Sequence, residues 1–432
     1  MTITRQEKID EGVQKFLETN RKATLVMGTG VGKSKVALDL IKELQPENIL
    51  LLTSGTLLRD ENWKNEFIKF GMEDWWSMVV SECYQTAYKW SGRHFQFVIA
   101  DEIDFAMTEV YQMFFVNNTY DILLGLTGFV TKDKEELLNK YAPVCHRYST
   151  QQAQSDGILN KTKFILVEYP LFKVKNIEVK LKNGYTMFKS EVDTYKYYER
   201  KFDKLNEDYE KAKSNYYRNK TFASTVVGEA KRKEFEEKAD EYKRKLEKIP
   251  AKIKSLASRR HNFMCQLDSS ALLTRYLNEY ILGVNERNKL LVFSKSSAQI
   301  DRILENTHHN KRRRPELIHK LNSGEIRSLG LCKILDRGAN LVGVNYIIFE
   351  SYDGSETNLQ QRHGRGVRLS PDDTLFFIIL IPHYEDEGRF IQTQASVWVE
   401  KMLNSFELEN SVTVQLRTEE DMERLKKELI EP

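Results

Sequence analysis

The sequence has few cysteines and no long apolar run. Its four cysteines, Cys83, Cys145, Cys265 and Cys332, are scattered over 432 residues. None forms a Cys-x-x-Cys pair, which argues against a zinc site and a disulfide framework and fits a reducing cytosol. The longest apolar run, LFFIILI at 375–381, is far short of a membrane span and reads as a buried strand. No apolar stretch near the start resembles a signal peptide. Charge of one sign is scarce too. A net charge of +3 with a pI near 8.4 is too weak to mark a nucleic-acid binder, so local patches must carry that argument. These absences lead to the expectation of a soluble, cytoplasmic protein. Apolar material is ample at 41%, and the length predicts two or three domains.

Residues 27–34 read MGTGVGKS. A short apolar run, ATLVM at 23–27, precedes them. Apolar residues at helical spacing follow, at Val36, Ala37, Leu40, Ile41 and Leu44. Strand, glycine turn, Lys-Ser and helix is the setting a phosphate loop needs. Gly28, Gly30 and Gly32, with Thr29 and Val31 between them, would let backbone N–H groups face phosphates at the positive end of a helix. Lys33 would reach the β and γ phosphates of ATP, and Ser34 would hold Mg²⁺. Met27 stands where the general pattern asks for glycine.

A second stretch, FQFVIADEIDFA at 95–106, is an apolar strand followed by acids. A metal-bound nucleotide needs an acid at a strand end to hold Mg²⁺, and Asp101 suits. Hydrolysis needs a base that orients water, and Glu102 suits. An acidic surface turn would look similar in isolation. The lysine loop about 70 residues upstream makes the catalytic reading the better one.

With these motifs in order, the sequence resembles helicase superfamily 2. ITRQ (3–6) looks like its upstream glutamine motif, with Gln6 reading adenine. LLLTSGTLLRDENWKNEF (51–68) looks like motif Ia of the DNA-translocating branch that includes chromatin remodellers, with Ser54 where proline is usual. SECYQTA (81–87) resembles the next strand-binding motif. LTGFV (126–130) looks like the Leu-Thr-Gly-Thr-Pro coupling motif, with Phe129 and Val130 replacing Thr-Pro. APVCHRYSTQQAQSDGIL (142–159) resembles the end of the first motor domain in phage branch-migration helicases and restriction translocases. KLLVFSKSSAQIDRIL (289–304), LCKILDRGANLVGVNYIIFE (331–350) and QQRHGRGVR (360–368) look like motifs IV, V and VI. The resemblance implies DNA contacts at Ser54, Gly55, Tyr84, Gln85, Ser294, Lys295 and Lys333. It implies an ATP contact at Gly338 and catalytic roles for Gln361, Arg365 and Arg368. Arg365 and Arg368 lie three apart, on one face if helical, so both guanidiniums can reach one phosphate. If phage-encoded, the chain would work in the host cytoplasm.

The expected fold is α/β. Two tandem RecA-like domains, parallel sheets with helices on both faces, carry an inserted β-hairpin and an antiparallel coiled-coil hairpin. The expected division is 1–160 for the first motor domain and 161–190 for a connecting strand and hairpin. The coiled coil takes 191–262, the second motor domain 263–390, and a helical extension 391–432. ATP would lie between Lys33, Asp101 and Glu102 on one wall and Arg365 and Arg368 on the other.

The middle of the chain differs from the rest. KNIEVKLKNGYTMFKSE (175–191) has alternating arms around Asn183-Gly184, a strong hairpin signal. The hairpin would extend the second sheet or act as a pin that splits strands. Tyr198, Phe202, Leu205, Tyr209, Ala212 and Tyr216 form one heptad seam. Phe235, Ala239, Tyr242, Leu246, Ile249, Ile253 and Leu256 form another. The expected tip lies within 218–230, with Lys220 and Phe222 as contacts for nucleic acid if the arm grips DNA. Pro250 predicts a break or kink. The bland reading of the arm's charges is a solvated outer face. Lys311, Arg312, Arg313 and Arg314 form a basic cluster that would neutralise phosphates or sit on a plain surface loop.

The leading functional reading is an ATP-dependent DNA helicase or translocase acting on forked and junction DNA. The alternatives are a duplex translocase that never separates strands, an RNA helicase, or an ATP-switched binding module that recruits a protein through the coiled-coil arm. Monomer or oligomer is open, since the coiled coil could pair between chains.

Overall fold

Two parallel sheets and one helical arm account for the chain. The computed structural model describes residues 3–55, 62–180, 184–307, 314–332, 341–351, 363, 370, 372–403 and 411–431. The first sheet holds β1 (Lys22–Met27), β2 (Ile49–Thr53), β3 (Val79–Cys83), β4 (His94–Asp101), β5 (Thr119–Thr127) and β6 (Val144–Tyr148), in the order β3-β2-β4-β5-β1-β6. Every pairing in it is parallel. Alternate residues of one strand enter different cores. Leu25, Met27, Leu51, Phe97, Ile99, Leu124 and Leu126 pack on one face, and Val26, Leu50, Leu52, Val98, Ala100 and Leu123 on the other. A sheet buried on both faces needs near-continuous apolar strands, which is why these segments read as apolar runs.

The second sheet is built from β7 (Lys161–Pro170), β10 (Leu290–Ser294), β11 (Ser328–Cys332), β12 (Tyr346–Phe349), β13 (Thr374–Asp386) and β15 (Ser411–Gln415), in the order β11-β10-β12-β13-β7-β15. The short strand β14 (Arg389–Gln392) pairs antiparallel with the end of β13. Residues 161–170 are therefore an interior strand of this sheet. The chain's last segment contributes β15 as well as a helix, Glu419–Glu428, capped by Thr418. Among the described residues no helix is long and apolar enough to cross a membrane.

By contacts the chain divides into two units. One comprises Met1–Glu168, Thr274–Ile381 and Gln394–Pro432 and holds the two sheets. The other comprises Tyr169–Leu273 and Pro382–Thr393. In the second unit β8 (Ile177–Lys180) and β9 (Thr186–Lys189) form an antiparallel two-stranded sheet of their own. The hairpin thus does not extend the second sheet. Gly184 turns with φ +83°, open to few other residues; Asn183 lies outside the described residues.

Two helices follow, Glu191–Thr225 and Glu229–Met264, of 35 and 36 residues. At 1.5 Å per residue each is about 52 Å long. They run antiparallel: Phe222 near the end of the first meets Phe235 near the start of the second, and Tyr198 meets Phe263. Ala212, Ala223, Ala239 and Ile249 are buried along the seam. Two expectations need correction. Residues 218–225 stay helical, so the turn is only Val226 to Gly228, and Lys220 and Phe222 lie on the last turns of the first helix rather than at a loop tip. The second helix also runs unbroken through Pro250, whose side is exposed. The arm's root is held by Glu191, whose buried carboxylate accepts from the amides of Phe172, Asp268 and Ser269 and the Ser269 hydroxyl.

Candidate functional site

Parallel strands end on the same side of a sheet, so the first sheet gathers its motifs at one edge. The glycine loop leaves β1, the acids leave β4, and Thr127-Gly128 leaves β5. These three strands are neighbours, with Val26 opposite Thr127 and Asp101 opposite Leu126. Ser54 and Gly55 leave β2 beside β4, and Tyr84 and Gln85 follow β3.

The loop is shaped by its glycines. Gly30 and Gly32 have φ +87° and +123°, which side chains resist. A Cβ on Gly32 would lie 2.8 Å from Ile9 of α1 (Arg5–Leu17), and one on Gly28 would lie 2.7 Å from the backbone N of Thr150. Segment 142–159 thus closes against the loop, and Gly28 N–H donates to Tyr148 O (2.8 Å). Gly32 leads into α2 (Lys33–Leu44), so the first amides of α2 border the loop. Met27, in the place of the pattern's first glycine, is a fully buried strand residue. The Lys33 ammonium turns back onto the loop, donating to Met27 O (2.9 Å) and Gly28 O (3.4 Å). Its Nζ and Thr29 Oγ1 would lie 3.6 and 3.5 Å from a Cβ on Gly128, so the coupling motif's glycine keeps space beside the lysine.

The acids are tightly held. Asp101 is buried and its Oδ2 accepts from Trp63 Nε1 (2.9 Å). Burial, and then the charge of Glu102, push its carboxyl up to about 6, against the pull of the Trp63 hydrogen bond and the Lys33 charge. A cation there would relieve that strain. With the Ser34 hydroxyl at the start of α2, this donor set suits Mg²⁺. Glu102 sits in the left-handed region (φ 51°, ψ 49°), unusual for a side-chain-bearing residue and common at functional positions. Its Oε2 accepts from Ser54 Oγ (3.2 Å). Ser54 O in turn accepts from Gln85 Nε2 (3.0 Å), and Tyr84 OH donates to Asp101 O (3.0 Å).

Three expected DNA contacts, Ser54, Tyr84 and Gln85, are therefore bonded to the acidic pair or to each other. Tyr84 needs correction as a surface contact. It is fully buried, because its hydroxyl serves the Asp101 carbonyl and its ring fills the core. Gly55 is open, with nothing within 4 Å of where its Cβ would be. Ser294 is fully buried too, its hydroxyl bonded to Ser296 O and Ser351, which leaves Lys295 as the accessible half of that pair. Gln6 is exposed on α1, its amide donating to Asp10 (2.7 Å).

Sequence reasoning gave no role to Trp63, Asp104 or Thr127. Asp104 is buried, accepting from Thr127 Oγ1 (2.9 Å) beside Lys134 (3.4 Å), and so ties the acidic turn to the coupling motif. Asp104 stood within the quoted acidic run, but its partner is 23 residues away and has no local signature. From motif VI only His363 is described. It is buried between Phe164 and Phe377, bonded to Thr162 Oγ1 (2.7 Å), and burial lowers its pKa to about 3, so it stays neutral. Gln361, Arg365, Arg368, Gly338, Lys333 and the cluster Lys311–Arg313 lie outside the described residues.

A phosphate loop, an acid pair and a second parallel sheet define a two-sheet P-loop ATPase fold. Comparison with known proteins makes this specific. Residues 3–83 match the family of the type III restriction enzyme res subunit, and residues 272–370 match the helicase conserved C-terminal domain. One match falls on each sheet, in helicase order, so by these segments the chain resembles helicase superfamily 2. No curated protein sequence matches it. Among solved structures it resembles the ATP-dependent type ISP restriction-modification enzyme LlaBIII bound to DNA, at 13% identity and TM-score 0.53, covering 100% of this chain and 32% of that one. It also resembles a fragment of an HsdR subunit of a type I restriction enzyme from Vibrio vulnificus, at 14% identity and TM-score 0.50, covering 95% and 68%. The Hef helicase domain of Pyrococcus furiosus aligns at 13% identity and TM-score 0.47, covering 92% and 96%. At these identities the two restriction-enzyme likenesses speak for the fold alone.

Proposed function

We propose that this chain hydrolyses ATP to move along DNA, and that it acts on forked and junction DNA in replication, recombination or repair. The observation that carries the motor reading is the bonding of Ser54 to Glu102, of Tyr84 to the Asp101 carbonyl, and of Gln85 to Ser54. A strand lying on the motif Ia surface would pull on the residues that handle the nucleotide. Bound ATP-Mg²⁺ would supply the phosphate bond whose hydrolysis drives movement. Lys33 would leave its loop carbonyls for phosphate oxygens, and Ser34 and Asp101 would hold the metal. Glu102 would orient the attacking water. Arg365 and Arg368 from the second half would stabilise the charge that develops on the phosphate, an effect worth roughly 10³–10⁵ in rate. The branched-DNA part rests on the resemblance of 142–159 to branch-migration helicases.

A second reading, translocation on duplex without strand separation, draws on two observations. The likenesses with the higher TM-scores are to restriction-enzyme chains, and Phe129-Val130 replaces Thr-Pro in the coupling motif. Steady-state ATP hydrolysis separates the two. The panel is no nucleic acid, single-stranded DNA, duplex, fork, four-way junction and RNA, with Lys33→Ala as the blank. Strongest stimulation by forks or junctions is expected. Equal stimulation by plain duplex would favour the second reading, and stimulation by RNA alone would overturn the DNA assignment.

A further inference from the structure

The second unit carries exposed aromatic rings beside lysines, and nothing in the ATP chemistry uses them. On the β8–β9 hairpin, cross-strand partners share a face, so Lys180 and Thr186 lie with Glu178 and Phe188 on one side. That side is exposed, and Phe188 is 55% exposed. The other side, Ile177, Val179, Met187 and Lys189, is largely half-buried. Lys189 places its ammonium 4.7 Å from the ring centre of Tyr197 on the first arm helix, and Lys201 reaches the same ring at 5.6 Å. Tyr197 is 40% exposed and Tyr185, beside the turn glycine, 72%.

The mount is well tied. Asn176 Nδ2, just before β8, donates to Asp268 (2.5 Å), and Lys173 pairs with Glu385 (3.5 Å). The strand β9 runs directly into Ser190, which caps the first arm helix.

We propose that Tyr185 and Tyr197, with Lys189 and Lys201, form a stacking face for an unpaired stretch of nucleic-acid strand, Tyr185 sharing by alternation the side of the hairpin that carries Lys189. The chemistry favours this occupant. Every base offers a π-face that stacks on an aromatic ring, and lysines beside the rings neutralise the phosphates that connect successive bases. A duplex hides its base faces and presents phosphates only, so it would use the lysines and not the rings. An ammonium resting on a ring is a contact that a base and a phosphate can together replace. Glu178, the one carboxylate in the hairpin's strands, lies on the other side with Phe188, so the side that carries Lys189 holds no strand carboxylate. This inference rests on the DNA-motor reading and adds where the unpaired strand goes.

The test is fluorescence anisotropy on the full chain without nucleotide. The probes are a labelled thymidine strand of about 16 nucleotides and a blunt duplex of equal length. The double variant Tyr185→Ala/Tyr197→Ala should bind the strand about tenfold or more weakly while duplex affinity holds. Tyr185→Trp should retain strand binding, which a folding defect would not explain. Lys189→Ala/Lys201→Ala should flatten the salt dependence on the strand by about 0.7 per lysine. Wild-type strand affinity in the alanine variant would overturn the proposal, and so would an equal loss on duplex. If the wild type binds duplex but no single strand, this inference fails while the DNA reading stands. Binding to neither probe sinks both. If the wild type is a dimer that the alanine pair turns into a monomer, the face is a self-association surface and the proposal is wrong.

Discussion

At the scale of single residues, the nucleotide site makes sharp demands. Lys33→Ala removes the only side-chain charge on the glycine loop and should abolish ATP hydrolysis while circular dichroism and melting stay near wild type. Gly28→Ala is different in kind. Its Cβ would press on the backbone of Thr150 at 2.7 Å, so the loop or segment 142–159 must shift, and nucleotide affinity and melting temperature should both fall. Asp101 gives a pH prediction. Its folded pKa, about 6, lies above the ordinary carboxylate value, so the folded protein holds a proton there that the unfolded chain releases. The stability from that proton is fully present below about pH 4 and is lost as pH rises through about 6. Without Mg²⁺, Asp101→Asn should therefore raise stability at pH 8 by about 1–3 kcal/mol while abolishing hydrolysis. Thermal melts of both proteins at pH 5 and pH 8 would show it, and an equal difference at the two pH values would refute it. The loop and the acid pair were legible because their chemistry needs contiguous residues. Tyr84 was not, because its hydroxyl's partner is a backbone carbonyl 17 residues away and nothing local marks it as buried.

Among the elements, the arm was legible in pattern and misjudged in extent. Heptad spacing gave two antiparallel helices, since apolar residues 4 and 3 apart can meet along one seam only. Polar residues around 218–225 looked like turn material, yet they sit in a helix whose seam continues through Ala223 to Phe222 and Phe235. The turn needs only Gly228, at φ +117°. Pro250 was expected to break or kink its helix, and no break occurs there. An exposed proline loses one hydrogen bond, and the packed seam around Ile249 outweighs that cost. Pro250→Ala should then stabilise the arm by about 1–3 kcal/mol, read as slower limited proteolysis between 191 and 264. Glu191 is the opposite case. Its carboxylate satisfies three backbone amides and a hydroxyl at the root. Glu191→Ala leaves these groups without an acceptor and should cost about 3 kcal/mol or more. Protease should then cut at the root, near 172 and 268, before the tip. Cutting at the same place as in wild type would mean the carboxylate is not what anchors the arm.

On the scale of the whole molecule, the sequence carried the tandem-sheet architecture because each parallel strand is an apolar run flanked by helical patterns. It could not carry strand order. β7 and β15 come from segments expected to be a connection and an extension, and they join the second sheet through partners more than 200 residues apart in sequence. Local residues cannot encode so distant a pairing. The proposed division of labour puts phosphate binding on Lys33 and transition-state charge on Arg365 and Arg368. His363, two residues before Arg365, is neutral and wedged between strands β7 and β13, so it would hold the start of motif VI against the second sheet. Arg365→Ala should leave ATP affinity within a few-fold of wild type and lower turnover by roughly 10³. His363→Ala should lower turnover and stability together, because it empties a buried site. A fluorescent ATP analogue measures binding, and single-turnover hydrolysis measures chemistry. If Arg365→Ala weakens binding as much as it slows hydrolysis, the arginine acts on the ground state, and the shared-site division of labour is wrong. If binding survives and turnover falls, hydrolysis requires both halves of the chain, as coupling nucleotide chemistry to movement along DNA demands.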